Sequence, residues 1–235
     1  MGSKKIVYII VEGPTDSEAL GVILTRIYEI YNNNVYIEIL HGDITSNDEI
    51  KPDTIEEQIK NFIEKYANMN YLKCEDFQEI IHLVDTDGIY IPDTEIFLDN
   101  QNEKTFYKTS GIYTNDIRKI RTRNNHKKAN IERLISINQI WENIPYNCYY
   151  MSCNLDHVLH NKANCNEKEK AENAYKFAEK YKENINGFLK FLCKSDFSRC
   201  EDFRESWNYI KIGMRSLERN TNFGICFMNI IKTLK

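Results

Sequence analysis

The chain has 235 residues, of which 42% are hydrophobic and 28% charged, enough apolar material for one sizeable soluble domain or a domain with an appendage. A net charge of −4 excludes a nucleic-acid partner held by the overall field, so any such contact must come from a local basic patch. No stretch reaches the ~18 uninterrupted apolar residues of a membrane span, and seven cysteines without framework spacing read as reduced thiols of a cytoplasmic protein.

Lys5 to Val11, "KIVYIIV", is a short continuous apolar run and predicts a strand covered on both faces. It ends in Glu12-Gly13-Pro14-Thr15-Asp16, where Gly13 lets the chain turn and Pro14 stiffens the start of a helix. Thr15 or Asp16 caps that helix, whose apolar face is Ala19, Leu20, Ile23, Leu24 and Ile27. Val35 to Leu40 predicts a second strand, and residues 54–66 an amphipathic helix with Ile55, Ile59, Phe62, Ile63 and Tyr66 on one side. Glu79 to Val84, "EIIHLV", predicts a third strand, with His82 as a satisfied core histidine, and runs into Asp85-Thr86-Asp87-Gly88. Strands alternating with helices imply an α/β fold on a mainly parallel sheet with right-handed crossovers.

Residues 88–129 break this rhythm. They are polar and hold Arg118, Lys119, Arg121, Arg123, His126, Lys127 and Lys128, read as a loop. A helix is expected from 130 to 141 and a fourth strand at 146–151, "YNCYYM". Everything after Leu155 looks helical, with a charged solvated face at 167–182, then "INGFLKFL" and a last helix ending near Leu234. There is no internal repeat. The expected organisation is a catalytic unit over 1–160, interrupted by an insertion at 88–145, with a helical extension at 161–235 packed on it.

In a parallel sheet the carboxyl ends of the strands share one edge, and ligands bind in the crevice outside it. Glu12 ends the first strand, Asp85 and Asp87 end the third, and Asp16 lies in the first turn of the helix above. Residues two apart on a strand face the same way, so Asp85 and Asp87 should converge while Thr86 points elsewhere. Carboxylates crowded together raise each other's pKa unless a cation neutralises them. Hard oxygen ligands of this kind select Mg²⁺ or Mn²⁺, ions suited to stabilising charge on phosphate and activating water.

These residues resemble a known family. "IVEGPTD" before an apolar helix, followed by "HLVDTDG", is similar to the TOPRIM domain of primases, topoisomerases, a ribosomal-RNA maturation nuclease and the OLD (overcoming lysogenization defect) nucleases. The likeness covers residues 5 to about 90, and more loosely to 160. It implies a compact, Rossmann-like, mainly parallel sheet flanked by helices. It maps the family's glutamate onto Glu12 and its aspartate pair onto Asp85 and Asp87. Glu-Gly-Pro-Thr-Asp is most like the OLD-type branch, where an acid at the place of Asp16 also binds metal. "SCNLDHVL" sits where that branch carries a further acid, so Asp156 is either a metal ligand, with aspartate for the usual glutamate, or a helix N-terminal acid. The implied catalytic set is Glu12, Asp85 and Asp87; the implied metal set adds Asp16 and Asp156. The implied function is a Mg²⁺- or Mn²⁺-dependent nuclease on DNA or RNA, of the kind that serves as a toxic effector in bacterial antiphage or abortive-infection defence. No Gly-x-x-x-x-Gly-Lys-Ser/Thr motif occurs, so the ATPase that often accompanies OLD-type nucleases would be a separate partner protein. A homo-oligomer is a further expectation.

Other constellations carry less. Cys153, His157, His160 and Cys165 match no common zinc spacing. Arg118, Arg121, Arg123, Lys127 and Lys128 are expected to hold phosphates from the active-site side, with Tyr107 and Tyr113 nearby to stack on bases. Two rivals stand. "HLVDTDG" is also similar to the first motif of haloacid-dehalogenase-type phosphatases, with Asp85 as nucleophile, which leaves the Glu12 to Asp16 cluster idle. Alternatively the acids hold a structural ion in a non-catalytic binding module.

Overall fold

A computed structural model of the chain describes residues 5–31, 35–42 and 44–233. The chain begins β1 (Lys5–Val11), α1 (Pro14–Tyr31), β2 (Val35–His41), α2 (Ile55–Met69) and β3 (Phe77–Asp85). Three short strands follow, β4 (Ile96–Leu98), β5 (Phe106–Lys108) and β6 (Gly111–Thr114), then α3 (Ile117–Ile135), β7 (Gln139–Ile140) and β8 (Ile144–Met151). The rest is α4 (Leu155–His160), α5 (Glu167–Tyr181), α6 (Ile185–Lys194), α7 (Phe203–Ile210) and α8 (Met228–Thr233). The fold is mixed α/β, with a mostly parallel central sheet flanked by helices. Its strand order is β2-β1-β3-β8-β7, and only the two-residue β7 at the edge runs antiparallel to its neighbour.

The alternation of side chains along β1 builds a core on each face. Val7, Ile9 and Val11 pack with Leu20, Ile23 and Ile27 of α1 and with Phe177, Phe188 and Leu192 of α5 and α6. Ile6, Tyr8 and Ile10 pack with Ile55, Ile59 and Ile63 of α2, Ile131 and Leu134 of α3, and Trp207 of α7. Each such side chain contributes about 1.5–3 kcal/mol on leaving water, so β1 is held from both sides and its end is fixed in space.

Several expectations need correction. The helix expected at 130–141 runs from Ile117 to Ile135. The basic run is therefore helical and not a loop. Asp116 starts it, its carboxylate accepting the Lys119 N–H at 2.9 Å. Trp141, Glu142 and Asn143, with φ of 42°, 56° and 81°, make a left-handed turn where the helix was expected to end. The polar stretch before α3 holds a second sheet, β4-β6-β5, whose strands of three or four residues are too short to display a period. The stretch 211–222 forms turns around a single 3-10 turn at Arg215–Leu217, and not α-helix. Leu234, where the last helix was expected to end, lies outside the described residues.

Candidate active site

Glu12 leaves β1 at the carboxyl edge, and the chain enters α1 through Pro14, which occupies the first helical position. Gly13 is the cap, not Thr15 or Asp16. Asp16 sits three residues on and accepts the Gly13 N–H at 2.9 Å, which fixes its carboxylate beside Glu12. The Glu12 side chain, 11% exposed, accepts from the Thr45 hydroxyl at 2.9 Å through one oxygen and from the Lys127 ammonium at 3.1 Å through the other.

On the neighbouring strand β3 ends at Asp85. Strand alternation therefore does not place Asp87: it adopts φ 47°, in the left-handed region, and Gly88 follows at φ 68°. Aspartate tolerates this conformation better than most residues. Lys127 and Arg123 hold it there. Lys127 donates to the Asp87 carboxylate at 2.7 Å, and Arg123 donates to its carbonyl at 3.0 Å. Thr86 points the other way, buried, accepting the Cys153 N–H at 2.9 Å and donating to the Ser216 carbonyl at 3.1 Å.

Glu12 and Asp87 thus face each other across one ammonium that has no exposed surface. Asp85 is different. Its carboxylate has no hydrogen bond or ion pair among the described residues. Burial, then the charges of Glu12, Asp16 and Asp87, push it well above the usual carboxylate range, and Lys127 only partly offsets them. Asp16 rises to about 6, chiefly by burial and then through Asp156, against the pull of the Gly13 N–H. Burial also raises Asp87, but Lys127 and Arg123 outweigh it and hold Asp87 below its ordinary value.

Asp85 and Asp87 open onto a cleft of about 420 Å³, which Asp156, Asn154, Tyr107 and Lys170 also line. Asp156 lies in the first turn of α4, where the Asn154 side chain caps the helix, and it accepts from Asn173 at 3.1 Å. Among the described residues no three His, Cys, Asp or Glu side chains form a ready metal cage; Lys127 fills the space between Glu12 and Asp87. The donor set nevertheless fits a hard divalent ion, because it is carboxylate oxygen alone and Asp85 is crowded by acids with no cation bonded to it among the described residues.

The expected phosphate contacts separate. Arg118, Arg121 and Lys128 lie exposed on α3, with Arg121 against Asp93 at 3.4 Å and Lys128 5.7 Å from the Tyr90 ring centre. Arg123 faces the site. Lys127 is corrected: it is a buried partner of the acids and not a solvated phosphate contact. Tyr107 comes to the site through its hydroxyl on Arg123 at 2.6 Å, while Tyr113 pairs with Ser110 at 3.2 Å. The zinc candidates do not assemble. Cys153 sits in the small core under the second sheet, and His160 packs on Phe177. His82 is half satisfied, with Nδ1 at 2.7 Å from the Tyr146 hydroxyl and a buried, unpartnered Nε2. Sequence reading missed Thr45 and the buried polar face of α3. The spacing of Asn124, Lys127 and Asn130, all buried, was the available signal: polar residues three apart on a helix face.

No family model, characterised protein or solved structure matches this chain.

Proposed function

We propose that this chain is a Mg²⁺- or Mn²⁺-dependent phosphodiesterase acting on nucleic acid, built on a TOPRIM-like domain of the OLD type and serving as an effector in bacterial antiphage defence. The observation that carries this reading is Asp85: a carboxylate at the carboxyl edge of a parallel sheet, bonded to no cation among the described residues, pressed by Glu12, Asp16 and Asp87, and open to a cleft. Such a group is unfavourable as it stands and favourable beside a divalent ion. Asp85, Asp87 and Asp16 would hold the ion, with Asp156 across the cleft. When bound, the ion polarises phosphoryl oxygens and makes a water acidic. Glu12, oriented by Thr45 and Lys127, takes a proton from attacking water or adds a ligand oxygen. Arg123 fixes the Asp87 turn. Arg118, Arg121 and Lys128, exposed on α3, are the proposed contacts to flanking phosphates.

The test is incubation of the purified protein with DNA, RNA and an aryl phosphomonoester, in Mg²⁺, Mn²⁺ or EDTA. Metal-dependent strand cleavage, lost in Asp85→Asn and Glu12→Gln while both variants stay folded, is the expected result. Hydrolysis of the monoester alone would favour a phosphatase with Asp85 as nucleophile. Metal binding without turnover of any substrate would leave a binding module. An accompanying ATPase is sought by co-purification.

A further inference from the structure

The cleft above Asp85 and Asp87 has two walls. One is Lys104 to Tyr107, running into β5; the other is residues 163–166 with Glu169 and Lys170 at the start of α5. Asn164 sews them together. The Tyr107 N–H donates to its Oδ1 at 2.8 Å, and its Nδ2 donates to the Tyr107 carbonyl at 2.7 Å. One carboxamide thus stands in for a strand on the edge of β5 away from β6, its one strand partner among the described residues. Behind, Arg123 ties the Tyr107 hydroxyl to the Asp87 carbonyl. The second sheet is therefore pinned beside the acids at two points.

This geometry bears on what reaches Asp85. The cleft, at about 420 Å³, has the size of a site for one small-molecule-sized unit. A cleft of that volume admits a single nucleotide-sized unit and not a stacked base pair, so a paired backbone would have to be read from outside it. An unpaired strand bends and enters one unit at a time. The rim suits such a strand. Phe106, 40% exposed as a residue, is among those lining the cleft, and the Lys108 ammonium lies 5.8 Å from its ring centre and 4.6 Å from that of Tyr113. Lys104 is exposed and Lys170 partly so. An aromatic platform flanked by cations is the general recipe for single-stranded nucleic acid, since every base has a stackable face and the backbone follows the charge.

We infer that the cleft takes an unpaired segment of nucleic acid, with a base stacked on Phe106 and neighbouring phosphates on Lys104, Lys108 and Lys170. This rests on the phosphodiesterase reading above and goes beyond it by naming the strand state of the substrate. Stacking tolerates any base, so the preference is for unpaired structure and not for sequence.

The experiment uses the full chain and short fluorescein-labelled oligonucleotides, DNA and RNA, each single-stranded and as a perfect duplex of the same sequence. Binding is read by anisotropy in Ca²⁺ and cleavage in Mg²⁺ or Mn²⁺. Single strands should be bound, and cut, at least roughly tenfold better than the duplex; Phe106→Ala should lose roughly tenfold in single-strand affinity and Phe106→Trp should keep it. The DNA and RNA arms identify the sugar. Equal handling of duplex and single strand overturns the inference, as does a folded Phe106→Ala protein with parental affinity. Strand-selective, Phe106-dependent binding with no cleavage in any metal supports this assignment of the cleft and sinks the phosphodiesterase reading. No binding and no cleavage sinks both.

Discussion

Lys127 places its ammonium at a position with no exposed surface, where the carboxylates of Glu12 and Asp87 offset the cost of burying it. Its ammonium lies 3.1 Å from Glu12 and 2.7 Å from Asp87. Removing one member of a buried ion pair typically costs about 3–5 kcal/mol, because the remaining charges are left uncompensated. Lys127→Met keeps the stem and removes the charge. In EDTA this variant should melt well below the parent, and Mn²⁺ should return more stability to it than to the parent, by bringing a cation back to Glu12 and Asp87. Calorimetric melts with and without Mn²⁺ check this; a variant as stable as the parent in EDTA rules out the role given to the ammonium. The pH behaviour gives a second test. Asp16 ionises at 3.8 in an unfolded chain and at about 6 here. Between those values the fold holds a proton that the unfolded chain has lost, so the contribution of Asp16 is present below 3.8 and is lost as pH rises toward about 6. His82 acts oppositely. Burial, aided by Lys127, lowers it from 6.5 to about 3, so its contribution is lost as pH falls below 6.5. In EDTA, the stability of Asp16→Asn relative to the parent should therefore increase as pH rises from 3.8 to about 6. Urea melts across that interval measure it, and a constant difference refutes it.

At the scale of elements, legibility tracked how plainly each segment divides apolar from polar. β1, β3, β8 and α2 were readable because they bury continuous or strictly periodic apolar residues. α3 was not. Its buried face holds Ile120, Ile131 and Leu134 but also Asn124, Lys127 and Asn130, so the helical period is hidden by polar residues turned inward to serve the site. Asn130 shows the pattern, donating to the carbonyls of Thr45 and Ile50 at 3.0 and 2.9 Å. The acids were visible at strand ends, but the cation facing them was not, since that pairing joins residues 115 apart. The small sheet yields a prediction of its own. Asn164→Leu keeps bulk and removes both hydrogen bonds to Tyr107, each worth about 0.5–1.5 kcal/mol. Amide exchange at residues 106–108 should quicken while β1 and β3 stay protected, and the preference for single over double strands should shrink. Unchanged exchange at Tyr107 would show that Asn164 does not hold the wall.

Across the whole molecule, the chain after α7 braces the end of β8 and the turn that follows β3. Ser152 takes the Asn220 carbonyl through its N–H at 2.9 Å, and the Cys153 N–H reaches the Ser216 carbonyl at 3.0 Å. Asn222 accepts from the Tyr150 N–H at 2.8 Å, and Thr221 donates to the Tyr150 carbonyl at 2.8 Å. Leu217 presses on the loop after Asp87: a Cβ on Gly88, itself at φ 68°, would lie 2.5 Å from the Leu217 Cδ2. Sequence pattern could not reveal this brace, because it is made by backbone carbonyls and short polar side chains of turns far along the chain. Thr86 is where brace and site meet, lying between Asp85 and Asp87 with its hydroxyl bonded to the Ser216 carbonyl and the Cys153 N–H. Valine matches its shape and lacks the hydroxyl, so Thr86→Val leaves buried partners short at a cost of about 1–3 kcal/mol. It should melt below the parent and, because the Asp85 to Asp87 turn loses its anchor, bind Mn²⁺ more weakly by calorimetry. Asp85→Asn makes the contrast: it removes a repelled carboxylate, so it should lose Mn²⁺ affinity while keeping or raising the melting temperature in EDTA. A Thr86→Val protein that melts with the parent would mean that the turns at 211–222 do not hold the strand ends. An Asp85→Asn protein that melts far below the parent would mean that Asp85 serves the fold and not an ion.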